Sequence, residues 1–238
     1  MRIALLEDDA QQAELMKIWL DESGHNTQIY FTGRDCIKAM SHESFDLAII
    51  DWQLPDISGD QVLAWIREHI EWMMPTMFVT GRNDPKDIVD ALENGADDYM
   101  VKPVQRTEMV ARVSALGRRA NANNNGTQFS VGNVDIDTGK HQLLVDGTEV
   151  ELTGKEYELA IFLLKHIGRI LSRGHIMESV WGRSANLNTR TVDTHISRIR
   201  KKLNLTMEKG WRLTAIYQHG YRLEHMEQED QPARQAVG

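Results

Sequence analysis

Cysteine is nearly absent from this 238-residue chain. With Cys36 alone, no intrachain disulfide can form, which fits a reducing compartment. Cys36 itself reads as a small apolar side chain. Long apolar runs are missing too: none approaches the roughly 20 residues needed to span a bilayer. The opening, Met1-Arg-Ile-Ala-Leu-Leu-Glu7, meets acid too early for a signal peptide. These absences predict a soluble, cytoplasmic protein with no membrane partner.

The length allows two modest domains, each with its own core. Charge is divided between them. Residues 1–126 hold 12 Lys and Arg against 21 Asp and Glu, a net of −9; residues 127–238 hold 15 against 14. Ending the second half at His225 leaves a net of +3. An acidic half joined to a mildly basic one suggests metal or phosphate chemistry in the first and a polyanion for the second.

The first half is organised around Leu47-Ala-Ile-Ile-Asp51 and the turn signals Pro55, Ser58 and Gly59. Four apolar residues without alternation read as a strand buried on both faces of a parallel sheet. Asp51 then falls at its carboxyl end, where open α/β sheets place a ligand crevice. Alone, Asp51 either caps the next helix or serves as a metal ligand or nucleophile. Four more strands are expected: Ile3–Leu6 ending in Glu7-Asp8-Asp9, Asn26–Tyr30, Met74–Thr80, and Asp98 to Lys102-Pro103. Helices alternate with them, the last running from Val104, opened by Pro103, to Arg119. The pattern predicts an α/β domain with a doubly wound, five-stranded parallel sheet.

Glu7, Asp8, Asp51, Thr80 and Lys102 all fall at one edge of that sheet. Close carboxylates repel one another and call for a divalent cation; Mg²⁺ takes one or two carboxylates together with phosphate oxygens. With Lys102 nearby, Asp51 can attack a phosphoryl donor, and Thr80 can hydrogen-bond a phosphoryl oxygen.

Residues 1–119 resemble a CheY-like receiver domain. The likeness rests on Leu5-Leu-Glu-Asp-Asp9, Asp51-Trp-Gln-Leu-Pro-Asp-Ile-Ser-Gly59, Val79-Thr80 and Ala96-Asp-Asp-Tyr-Met-Val-Lys-Pro103. The resemblance implies that Asp51 accepts a phosphoryl group from a sensor histidine kinase. It implies that Glu7, Asp8, Asp51 and the Gln53 backbone carbonyl hold Mg²⁺. Thr80 and Tyr99 resemble the family's switch pair, and Lys102 its phosphate-contacting lysine. Gly81 departs from the usual alanine. By the same likeness the phosphorylated receiver forms a homodimer. Leu92 and Val110 are expected at the apolar centre of that face, and Asp97, Asp98, Glu108, Arg112 and Arg119 supply its charges. Ile88 and Asn94 stand where charged partners are usual.

Residues 120–127 are small and polar and read as a flexible linker. Phe129 to Leu152 reads as an antiparallel meander. Thr153 and Glu156 form a capping box, and Ser172 caps a second helix. In a third helix, from about Thr189 to Leu203, Val192, Ile196, Ile199 and Leu203 make a core stripe. Arg190, Thr194, Arg198 and Lys201 fall within about 80° on the opposite side, as in a helix lying in a DNA major groove. Lys202 beside them completes the expected DNA-binding set. Trp211 to Leu223 is a hairpin pattern, and residues 226–238 read as a disordered tail.

Residues 128–225 resemble the α+β winged-helix output domain of OmpR/PhoB-type response regulators. The carrying residues are Leu152-Thr-Gly-Lys-Glu156, Val180-Trp-Gly182, Arg190-Thr-Val-Asp-Thr-His-Ile-Ser-Arg198 and Gly220-Tyr-Arg-Leu223. By that likeness the third helix reads double-stranded DNA, and RNA polymerase is a further partner. Tyr217 and Gln218 occupy wing positions that usually read Arg-Gly. The function expected is a non-enzymatic, phosphorylation-controlled transcriptional regulator. The rivals are a regulator with a vestigial receiver and a phosphatase on the same sheet. Gln53 stands where such phosphatases keep a second acid.

Overall fold

The computed structural model describes residues 1–120, 127–182 and 190–226. The expected linker falls mostly, and the tail almost wholly, outside these residues, as does Thr189. The chain divides into two compact units, residues 1–125 and 126–238. Among the described residues no helix is long and apolar enough to cross a membrane.

The first unit alternates β1 (Arg2–Leu6), α1 (Ala10–Glu22), β2 (Asn26–Tyr30), α2 (Gly33–Met40), β3 (Leu47–Ile50), α3 (Gly59–His69), β4 (Thr76–Thr80), α4 (Pro85–Glu93), β5 (Asp98–Val101) and α5 (Arg106–Ala120). The strands lie in the order β2-β1-β3-β4-β5, all parallel. Successive strand side chains alternate between faces, which explains the unbroken apolar runs. Ala4, Leu6, Ala48, Ile50 and Phe78 pack toward α2 and α3. Ile3, Leu5, Leu47, Ile49 and Val79 pack toward α1 and α5. Burying each such Leu or Ile stabilises the fold by roughly 1.5–3 kcal/mol.

Local chemistry sets the helix starts. Asp9 accepts from the Gln11 and Gln12 N–H groups, and Thr32 from Asp35 N–H. Asp56, in the loop after β3, accepts from the Gly33 and Arg34 N–H groups, both at 2.9 Å, and so ties that loop to the start of α2. Two expectations need correction. Pro103 does not open α5: it lies in the preceding turn after a cis peptide, and Gln105 accepts the first helical bond, from Met109. Met74 does not start β4, because its N–H is used locally by the Trp72 carbonyl at 2.7 Å.

The second unit opens with an antiparallel sheet of β6 (Gln128–Val131), β7 (Val134–Asp137), β8 (Gln142–Val145) and β9 (Thr148–Glu149). Helices α6 (Gly154–Lys165), α7 (Arg173–Trp181) and α8 (Arg190–Lys202) follow, then the hairpin β11 (Trp211–Ile216) and β12 (Gly220–His225). A two-residue strand, β10 (Ile170–Leu171), pairs with β12 and was not anticipated. Thr153 and Ser172 cap α6 and α7 as expected. Val192, Ile196, Ile199 and Leu203 share one core with Leu159, Leu163 and Trp211.

Candidate functional site

Leu6 and Ile50 are register partners, and the Asp51 N–H donates to the Leu6 carbonyl at 2.8 Å. Glu7 and Asp51, the next residues along β1 and β3, therefore emerge at one edge of the sheet. Both are buried, while Asp8 is exposed. Carboxylate oxygens of Glu7, Asp8 and Asp51 lie within 4.8 Å of one another. Lys102 follows β5, and its Nζ sits 2.6 Å from Asp51 Oδ2 and 2.7 Å from Glu7 Oε2. The exposed Gln53 turns its N–H onto Asp51 Oδ1 at 3.1 Å.

One ammonium between two buried carboxylates leaves the crevice negative. Burial pushes the Glu7 carboxyl above its ordinary range; the Asp51 charge adds to this, and Lys102 offsets part of it. Burial disfavours the charged form of Lys102, but its bonds to Asp51 and Glu7 outweigh that and raise its pKa. Three hard oxygen donors this close, two of them buried, fit a small divalent cation such as Mg²⁺. Gly59 guards the backbone here: a Cβ on it would collide with the Asp51 carbonyl.

Thr80 ends β4 fully buried, and its Oγ1 accepts from the Arg82 N–H at 3.4 Å. Tyr99 is also buried, and its hydroxyl donates to the Arg82 carbonyl at 3.0 Å. A Cβ on Gly81 would meet nothing, so the loop has room for alanine there. Sequence reasoning missed Arg82 and Trp52. The Arg82 guanidinium lies over the Trp52 ring at 5.0 Å, and its Nε is 3.2 Å from Asp87 in α4. No local pattern announces a contact across 30 residues.

Four of the charged residues expected on a dimer face, Asp97, Asp98, Glu108 and Arg112, are engaged within the unit. Asp97 accepts from Arg67 at 2.9 Å and from the Thr76 N–H at 2.8 Å. Arg112 is shared between Asp98 and Glu108, at 2.9 and 2.7 Å. Leu92 is exposed, Val110 half-buried and Arg119 exposed. Exposed Val89 and Val101, on the same elements, were not anticipated.

In the second unit Arg190, Thr194, Arg198 and Lys201 are all exposed, while Val192, Ile196 and Ile199 of the same helix are buried. Lys202 differs. Its Nζ is 2.8 Å from Glu156, a buried acid at the start of α6, and donates to the Glu151 carbonyl at 3.0 Å. Its ammonium is thus committed to the domain rather than to the basic face. The wing tip carries Tyr217, 85% exposed, and Gln218 at φ 59°, a left-handed conformation that favours glycine.

Two family profiles match the chain: the response regulator receiver domain over residues 3–114, and the C-terminal domain of transcriptional regulatory proteins over residues 147–223. The transcriptional regulatory protein PcoR of Escherichia coli is 35% identical over 205 residues, 85% of this chain and 89% of PcoR. The phosphate regulon transcriptional regulatory protein PhoB of Rhizobium meliloti (strain 1021) is 33% identical over 206 residues, 86% of this chain and 91% of PhoB. This chain is a response regulator of the OmpR/PhoB type. As such a regulator it joins a receiver domain to a DNA-binding domain and controls transcription in a phosphorylation-dependent two-component system. Among solved structures, the OmpR/PhoB homologue DrrB of Thermotoga maritima is 26% identical, with a TM-score of 0.44 over 94% of this chain and 98% of its own.

Proposed function

We propose that Asp51 is the phosphoryl acceptor of this response regulator and that a histidine kinase is the donor. One Asp51 carboxylate oxygen attacks the donor phosphorus. A P–O bond to Asp51 forms as the bond from phosphorus to the donor breaks, and the leaving group takes up a proton. Glu7, Asp8, Asp51 and the Gln53 carbonyl are the residues that would hold Mg²⁺, whose charge would offset that of the transferred group. Lys102 provides a second positive charge at the attacking carboxylate. Thr80 donates its hydroxyl to a phosphoryl oxygen, which removes it from the Arg82 N–H, and Tyr99 follows that loop.

Phosphorylation then favours a homodimer through the surface of α4, β5 and α5, where Val89, Leu92 and Val101 present apolar area. Residues 120–127 act as the linker between a receiver of residues 1–119 and a DNA-binding domain of residues 128–225. The paired domains place two copies of Arg190, Thr194, Arg198 and Lys201 on double-stranded DNA, gaining effective concentration through that linker. Contact with RNA polymerase converts occupancy into transcription. In this reading the protein is a regulator rather than a turnover enzyme.

The observation that carries the proposal is Lys102 held between Glu7 and Asp51, inside a cluster of three carboxylates at one sheet edge. Incubation with acetyl phosphate and Mg²⁺, read by intact-protein mass, tests it. The wild-type chain gains one phosphoryl group and Asp51→Ala gains none; a labelled Asp51→Ala chain would remove Asp51 as acceptor.

A further inference from the structure

Helix α8 carries one acid, Asp193, in its first turn. Its Oδ1 accepts two bonds, from Arg173 Nε at 2.9 Å and from the Tyr221 hydroxyl at 2.7 Å. The Arg173 guanidinium also lies over the Tyr221 ring, 4.9 Å from its centre. Arg173 is the first residue of α7, and Tyr221 is the second residue of β12, just past the wing tip. Three elements therefore meet on one carboxylate oxygen. Tyr221 is buried there, whereas the Asp193 side chain is 42% exposed. At 100° per residue, Asp193 lies 60° around the helix from Arg190, so the brace flanks the basic face.

We propose that Asp193 is a specificity-determining positioning residue for DNA reading. It locks α7 and the wing to the first turn of α8, and it keeps Arg173 from serving as a general phosphate contact. The inference rests on the reading of the exposed α8 face as the DNA interface. Base-edge contacts require one fixed approach of the helix, because bidentate hydrogen bonds tolerate little displacement. Phosphate contacts are long-ranged and tolerate much more. A carboxylate beside the basic face also repels phosphates in every register, which costs non-specific binding most. Loss of the carboxylate should therefore act in opposite directions on specific and non-specific DNA. A role in stability alone would weaken both together.

The test uses the full chain to select duplexes from a random-sequence pool. Affinity is then measured for a selected duplex and for a scrambled one of equal length, across a range of salt. In Asp193→Asn, affinity for the selected duplex falls about tenfold, while the scrambled duplex tightens about threefold and its salt slope steepens by about one, as one more arginine reaches phosphate. Tyr221→Phe removes one bond without changing charge. It weakens the selected duplex by a smaller factor and leaves the scrambled one unchanged, and it decides the matter alone if Asp193→Asn does not fold. Equal weakening of both duplexes, or no change in either, overturns the proposal. If the wild-type chain enriches no duplex, the DNA-interface reading itself fails.

Discussion

Glu7 and Glu156 are both buried, and each meets one lysine: Lys102 at 2.7 Å in the first unit, Lys202 at 2.8 Å in the second. Burial pushes both carboxyls upward. For Glu156, Lys202 and the Thr153 N–H and hydroxyl outweigh burial and hold the pKa at about 2. For Glu7 the lysine is shared with Asp51, whose charge adds to the burial effect, and the net shift is upward. One acid–base pair is closed; the other is one positive charge short. That shortfall separates the site proposed to take a cation and a phosphoryl group from a pair that fastens two helices.

The largest expected effect comes from making the shortfall worse. Lys102→Ala leaves two buried carboxylates face to face and should destabilise the first unit by about 3 kcal/mol. Millimolar Mg²⁺ should restore most of that, as read by hydrogen exchange resolved by unit. Lys202→Ala should destabilise the second unit by about 2 kcal/mol, since Lys202 is partly solvated, and Mg²⁺ should restore none of it. A Mg²⁺ response at Lys202→Ala, or its absence at Lys102→Ala, would erase the distinction.

On DNA the contrast lies within the second unit. Arg198→Ala should weaken a selected duplex about tenfold, whereas Lys202→Ala should change it less than about twofold at matched salt. Equal losses in filter-binding titrations would return Lys202 to the DNA-contacting face.

The smallest effect is in pH, where the two acids have opposite signs. Glu7 has a raised folded pKa, so its contribution is present below the ordinary carboxylate value of 4.5 and is lost as pH rises through the folded value. Glu156 has a depressed one, so its contribution is present above 4.5 and is lost as pH falls toward about 2. Without divalent ions, Glu7→Gln should therefore stabilise the first unit at pH 7. Glu156→Gln should destabilise the second unit at pH 7, and the gap should be narrower at pH 3. Denaturant titrations at the two pH values check both signs.

Features written within a few residues were legible in the sequence. The run Leu47–Ile50 announced a strand covered on both faces, and Thr153 with Glu156 announced a helix start, because strand burial and capping leave local patterns. The convergence of Glu7, Asp8, Asp51 and Lys102 was legible one step further on, since parallel strands deliver their carboxyl ends to one edge. Features set by distant partners were not. Lys202 looks like its neighbours in α8 until Glu156, 46 residues earlier, is seen beneath it. Nothing local to Asp193 announces Arg173 and Tyr221, which lie 20 and 28 residues away and meet on it. Ile170–Leu171 is too short to show a period, and Pro103 suits a turn as well as a helix start.

The Asp56 anchor has a mechanical consequence. On the α2 side, the loop bearing Asp51 is riveted by two short bonds to main-chain amides. On the β4 side, the neighbouring loop is held at Arg82, whose backbone meets Thr80 at 3.4 Å and Tyr99 at 3.0 Å and whose side chain lies 3.2 Å from Asp87 in α4. The two flanks of the crevice are thus fastened to different helices, α2 on one side and α4 on the other.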